Sequence, residues 1–82
     1  MAGSVTVRYF AGARAAAGVE TEARTAATLA DLVRQMAEAH GPALEKVLTA
    51  CSFLLDGAQA RDPGTALPPG SVVDVLPPFA GG

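Results

Sequence analysis

Cysteine is all but missing from this sequence. Cys51 stands alone, which excludes an internal disulfide, a multi-cysteine zinc site and an iron–sulfur cluster held by four cysteines of one chain. Charge of one sign is missing as well: eight acidic residues stand against six basic ones, for a formal charge of −2. No Lys or Arg run is long enough to neutralise successive phosphates, so nucleic acid is not an expected partner. No apolar stretch approaches the ~20 residues of a membrane span. The N-terminus lacks the charged start and apolar run of a signal peptide, so the expected location is cytoplasmic, with no membrane partner. Large apolar residues are scarce too. Half the chain is hydrophobic, but much of that half is alanine, and the core must come from a few Val, Leu, Phe and Met positions.

What is present fits one small domain, because 82 residues leave no room for a catalytic domain beside a binding domain. Residues 4–10 alternate Val5, Val7 and Tyr9 with Thr6 and Arg8, the period of a strand with one face in the core. Residues 11–18 read as an Ala-rich turn between Gly12 and Gly18. Residues 19–24 alternate Val19, Thr21 and Ala23 with Glu20, Glu22 and Arg24, a second strand with its polar residues facing outward. The period then changes: Leu29, Leu32, Val33, Met36 and Ala37 form one apolar stripe of a helix over 29–40. Thr28 caps it, Asp31 meets its positive dipole end, and Gly41-Pro42 stops it. A short helical turn over 43–48 precedes a strand at 52–55, a turn at Asp56-Gly57, a short strand near 58–61 and a last strand at 71–76.

That order predicts an α+β fold in which a mixed sheet of four to five strands packs on one main helix, the helix serving as the crossover for a parallel pairing of first and last strands. The expected division is a domain over residues 1–76 and a flexible tail over 77–82. The tail reads Pro77-Pro78-Phe79-Ala80-Gly81-Gly82. Two prolines fix φ and withhold two donors, so the segment is expected to leave the sheet extended. Two final glycines pass where no side chain fits. A terminal carboxylate is ionised at neutral pH and is a poor electrophile until activated; joined to AMP it becomes a mixed anhydride open to a sulfur nucleophile.

Val7-Arg8-Tyr9-Phe10-Ala11, Gly18, Thr28-Leu29-Ala30-Asp31-Leu32 and Leu76-Pro77-Pro78-Phe79-Ala80-Gly81-Gly82 together resemble the MoaD/ThiS family of sulfur carriers, which includes the small subunit of molybdopterin synthase. The resemblance spans nearly the whole chain, and its ending is the specific part. It implies a ubiquitin-like β-grasp fold and a Gly82 carboxylate that is adenylated and then converted to a thiocarboxylate, with Gly81 beside it threading a narrow channel. It implies partners: a ubiquitin-activating-type adenylating enzyme that uses ATP and magnesium, a sulfur donor such as a cysteine desulfurase or rhodanese, and the large synthase subunit. That subunit would supply the catalytic side chains, so the chain is not an enzyme by itself, and no cofactor or metal is expected on it. The sulfur would form the dithiolene of molybdopterin, in molybdenum cofactor biosynthesis.

Partner contact is expected on the open face of the sheet and the base of the tail, through Phe10, Leu76, Phe79, Ala80 and Gly81. The competing account of Phe10 and Leu76 is that they close the end of the core. Phe79 departs from the family, which often has an aliphatic residue there. Cys51 reads as a small buried hydrophobe, His40 as a helix-end residue, Asp56 as turn chemistry, and Arg14, Lys46 and Arg61 as surface charge. Three other functions share the same tail or fold: a carrier for thiamin, cysteine or another sulfur-containing metabolite; a protein modifier joined to lysine through Gly82; and a plain interaction domain.

Overall fold

β1 (Ser4–Tyr9) buries every second residue, Val5, Val7 and Tyr9, and turns Ser4, Thr6 and Arg8 the other way. Both faces of the sheet follow from that alternation in a computed structural model that describes residues 3–78. Ala11 then takes a left-handed φ of 48°, which costs a residue bearing a Cβ something and bends the chain sharply away from the strand. Phe10 is left at the corner.

The next segment is a helix, not the turn expected over 11–18. α1 (Ala11–Ala17) is built from the best helix-forming residue, and so short a helix holds only by packing. Ala13 is fully buried, and α1 lies against a later helix, α3 (Pro42–Leu48). Gly18, at φ 77°, ends α1 by donating its N–H to the Arg14 carbonyl at 2.9 Å, as an αL C-cap does.

β2 (Thr21–Thr25) pairs antiparallel with β1, and its facing reverses the expected one. Val7 lies opposite Glu22 and Val5 opposite Arg24, and residues directly opposite share a face. Glu22 and Arg24 therefore sit on the helix side, half-buried, while Thr21 and Ala23 are exposed. β2 is an edge strand, where the helix layer thins and polar heads still find partners.

α2 (Leu29–His40) has the expected bounds, and its cap is the expected one: the Asp31 N–H donates to Thr28 Oγ1 at 3.2 Å. Leu29, Leu32 and Met36 are buried, with Val33 and Ala37 packed at the margins of the stripe. Burial of each large side chain is worth about 1.5–3 kcal/mol. Gly41 ends α2, and Pro42 opens α3, where a missing N–H costs nothing.

β3 (Ser52–Leu55) and β4 (Ala58–Ala60) form a hairpin through Asp56 and Gly57, both with positive φ, 49° and 87°; that combination matches the right-handed twist of the strands. β5 (Val72–Leu76) closes the sheet, whose order is β2-β1-β5-β3-β4. β1 and β5 are parallel, with Arg8 beside Asp74 and Tyr9 beside Val75. This is the β-grasp architecture that the sequence predicts, with α3 standing where a short helical turn is expected over 43–48 and α1 in place of the turn expected over 11–18. Pro78 lies in a turn. The remainder of the expected tail, Phe79 to Gly82, falls outside the described residues.

Candidate functional site

Parallel pairing brings the C-terminal ends of β1 and β5 to the same end of the sheet. The Phe10 N–H donates to the Val75 carbonyl at 3.2 Å, which holds the corner after β1 against the strand that leads into the tail. Alternation from Ser4, Thr6 and Arg8 carries Phe10 onto the open face, where it is 38% exposed. Leu76, the last residue of β5, follows Val72 and Asp74 onto the same face and is half-buried outside the core cluster. Neither residue closes the core. Both frame the base of the tail.

The centre of this face is a clamp. Arg8 donates from Nε and a terminal nitrogen to the two Asp74 carboxylate oxygens, at 2.5 and 2.8 Å. This bidentate geometry is the stronger form of the pair, and both Asp74 oxygens are used although the residue is only 8% exposed. The hydrogen bond and the charge of Asp74 raise the Arg8 pKa further. Leu54 stands opposite Asp74 on the other side, and the Arg8 guanidinium lies 5.9 Å from the Phe10 ring centre, within cation–π range. The result is a rigid polar centre with apolar flanks, which suits a docking face.

Two contributors escaped the sequence reading. Val19, 40% exposed, precedes β2 at the same end of the sheet, next to Glu20, whose carbonyl accepts the Tyr9 N–H at 2.9 Å. Its alternation had assigned it inward, because the register of β2 depends on α1. The Arg8–Asp74 pair spans 66 positions, which no local pattern reveals.

A second polar cluster lies under the sheet. Glu22 accepts from the Tyr9 hydroxyl, from His40 Nε2 at 2.6 Å and from Arg24 at 2.9 and 3.1 Å, and the Tyr9 and His40 rings meet edge to face. Burial pushes the Glu22 pKa up, but the bonds from Tyr9, His40 and Arg24 outweigh it and hold the carboxyl below its ordinary range. Burial, then the bond to Glu22, raises the Tyr9 phenol well above its usual value. Every acceptor is matched by a donor, so the cluster fastens β2 to the end of α2. His40 has a partner in the sheet in addition to its place at the helix end.

Of the predicted site residues, the structure brings together Phe10 and Leu76. Phe79, Ala80, Gly81 and Gly82 lie outside the described residues. Cys51 is half-buried, donates to the Val47 carbonyl at 3.2 Å, and has its pKa raised by burial. Asp56 holds the expected turn position, at φ 49°, and its carboxylate also reaches the start of β5, where one oxygen accepts the Val72 N–H at 2.8 Å. Among the described residues no group of three or more His, Cys, Asp or Glu is placed to hold a metal ion.

Comparison with known proteins places these features in context. The profile of the ThiS family matches residues 7–82. The molybdopterin synthase sulfur carrier subunit of Chlamydomonas reinhardtii is 38% identical, over 95% of this chain and 98% of its own length. Among solved structures, SAMP1 from Haloferax volcanii superposes with a TM-score of 0.82 at 30% identity, covering 98% of this chain and all of its own. A complex of subunits 1 and 2 of the molybdopterin-converting factor from Helicobacter pylori contains a chain with a TM-score of 0.73 at 28% identity, covering 96% of this chain and 99% of its own.

Proposed function

The chain belongs to the ThiS family, and from that premise we propose that it is the small, sulfur-donating subunit of a molybdopterin synthase, with Gly82 as the group that reacts. A Gly82 carboxylate oxygen attacks the α-phosphorus of ATP on the adenylating enzyme and pyrophosphate leaves. The outer sulfur of a donor persulfide attacks the acyl carbon and AMP leaves, giving an acyl disulfide; a second thiol then attacks the donor's own sulfur, is oxidised with it to a disulfide, and releases Gly82 as a thiocarboxylate. In the large subunit that sulfur attacks an acceptor carbon and displaces its oxygen substituent, and water then cleaves the acyl–sulfur bond, leaving a thiol on the acceptor and returning the carboxylate. Gly82 presents an unhindered acyl carbon at each step, and Gly81 lets the same end pass a narrow channel.

The observation that carries this reading is that β5 ends at Leu76 beside an open face, while the family match continues to Gly82. Support for the large subunit as partner comes from the Helicobacter pylori neighbour, which was solved as a complex of subunits 1 and 2. The domain needs no catalytic side chain of its own. Its work is to hold Phe10, Leu76 and the Arg8–Asp74 clamp where a partner can grip while the tail enters. We place it in the cytoplasm, where ATP and the adenylating enzyme operate.

The test is reconstitution with adenylating enzyme, ATP and magnesium, sulfur donor and large subunit. The full chain is expected to support dithiolene formation, and the chain lacking Gly81 and Gly82 to support none. Equal product from both rejects the reading. A second reading has its own support: the neighbour SAMP1 is a small archaeal modifier protein. Conjugates to lysine that vanish with the same truncation, without dithiolene product from the full chain, favour that modifier role.

A further inference from the structure

A groove of about 700 Å³ runs between α2 and the hairpin of β3 and β4, on the helix side of the sheet and away from the clamp. Leu29, Ala30 and Val33 form one wall, Phe53 and Ala60 the other, and Cys51 and Ser52 one end. Its size is that of a ligand pocket. Arg34 and Arg61 stand at the rim, in unequal states. Arg34 is engaged by Asp31 and Glu38, whereas among the described residues Arg61 has Gln59 as its one side-chain partner, a neutral amide at 2.9 Å. The nearby Asp62 carboxylate is turned into its own loop, accepting the Gly64 N–H at 2.8 Å.

An apolar groove with one uncompensated cation on its lip suits a short segment with one large apolar side chain and one negative charge. Residues 79–82 have that chemistry, in the Phe79 ring and the Gly82 carboxylate. The described chain also leads to the right place. Ser52, which lines the groove, pairs with Leu76 at the end of β5, a separation of about 4.8 Å between strands. Pro78 lies in a turn, and six residues beyond Leu76 reach up to roughly 20 Å.

We propose that residues 79–82 dock on their own domain in this groove, Phe79 between the two apolar walls and the Gly82 carboxylate at Arg61. Tethering raises the local concentration of the segment to the millimolar range, so a weak contact is enough to fill the groove most of the time. The consequence for the carrier rests on the function proposed above: the free chain would park its reactive end, and each partner would lift it out. Apparent affinity for the tail then falls by the undocked fraction.

Cys51 reports on occupancy because it lines the groove. Removal of residues 79–82 is expected to speed alkylation of Cys51 by iodoacetamide roughly tenfold, as for a groove open about a tenth of the time, and to shift the amide resonances of Ala30, Val33, Ala60 and Arg61. Phe79→Ala should reproduce most of that rise and Arg61→Glu part of it. Unchanged alkylation and unchanged resonances overturn the proposal, as does protection that grows with protein concentration, which assigns the groove to a second copy. Sulfur loading of the full chain is scored separately: loading without Cys51 protection rejects docking alone, and protection without loading rejects the carrier function alone.

Discussion

The two faces of the sheet are made from alternate residues of the same strands and do different work. On the covered face Val5, Val7, Tyr9, Val73 and Val75 are sealed against the helices. On the open face their neighbours Arg8, Phe10 and Leu76 keep partial exposure around the buried Asp74 carboxylate, which Arg8 holds through two bonds. A single-residue shift along β1 or β5 changes the property at stake from stability to recognition. The period of two thus lets one short chain carry a core and, on the proposed function, a docking surface without a second layer to cover the second face.

Substitutions on either side of that division should separate the two properties. The largest effect is expected in the core: Leu32→Ala opens a cavity under the sheet and should cost about 2–5 kcal/mol in chemical denaturation, with large-subunit affinity of the folded fraction unchanged. Phe10→Ala should do the opposite, weakening that affinity by roughly tenfold or more, as truncation of an interface anchor does, while the denaturation midpoint holds. If Phe10→Ala instead lowers stability as much as Leu32→Ala, the division between faces is wrong.

Smaller effects sharpen the comparison within the covered face. Glu22→Gln keeps an acceptor for Tyr9 but removes the charge that His40 and Arg24 meet, and should cost about 1–2 kcal/mol near neutrality. The folded pKa of Glu22 lies below its ordinary value of 4.5. Its contribution is therefore complete above that value and is lost as pH falls through the folded pKa. Denaturation curves of the two proteins should converge as the medium is acidified below 4.5; a constant gap contradicts the assignment. Thr28→Ala, which removes the cap of α2, should cost about 1 kcal/mol at every pH, measured the same way.

Legibility in the sequence followed the range of the interactions. α2 was readable to its end residues because its stripe, its Thr28 cap and its Gly41-Pro42 stop are all local. β1 was readable from its alternation and β5 as the last strand, and with them the placement of Phe10 and Leu76 off the core face. α1 was not: Ala13 is buried by contact with a distant helix, and a run of alanine between two glycines has no apolar stripe. That omission carried into β2, whose register places Glu22 and Arg24 inward, and into Val19, which is left exposed. The Glu22 cluster joins residues 13 and 18 positions apart, and the Arg8–Asp74 clamp joins still more distant ones; such pairs become visible only once the topology is known. The terminal glycines carry their meaning in their chemistry and in family membership, not in any fold signal.

Intact mass measurement of the chain, after incubation with its adenylating enzyme, ATP, magnesium and sulfur donor, reaches the central claim most directly. The account predicts a gain equal to the exchange of one oxygen for sulfur, localised by fragmentation to Gly82. A chain of unchanged mass, or one whose added sulfur sits on Cys51, would contradict it.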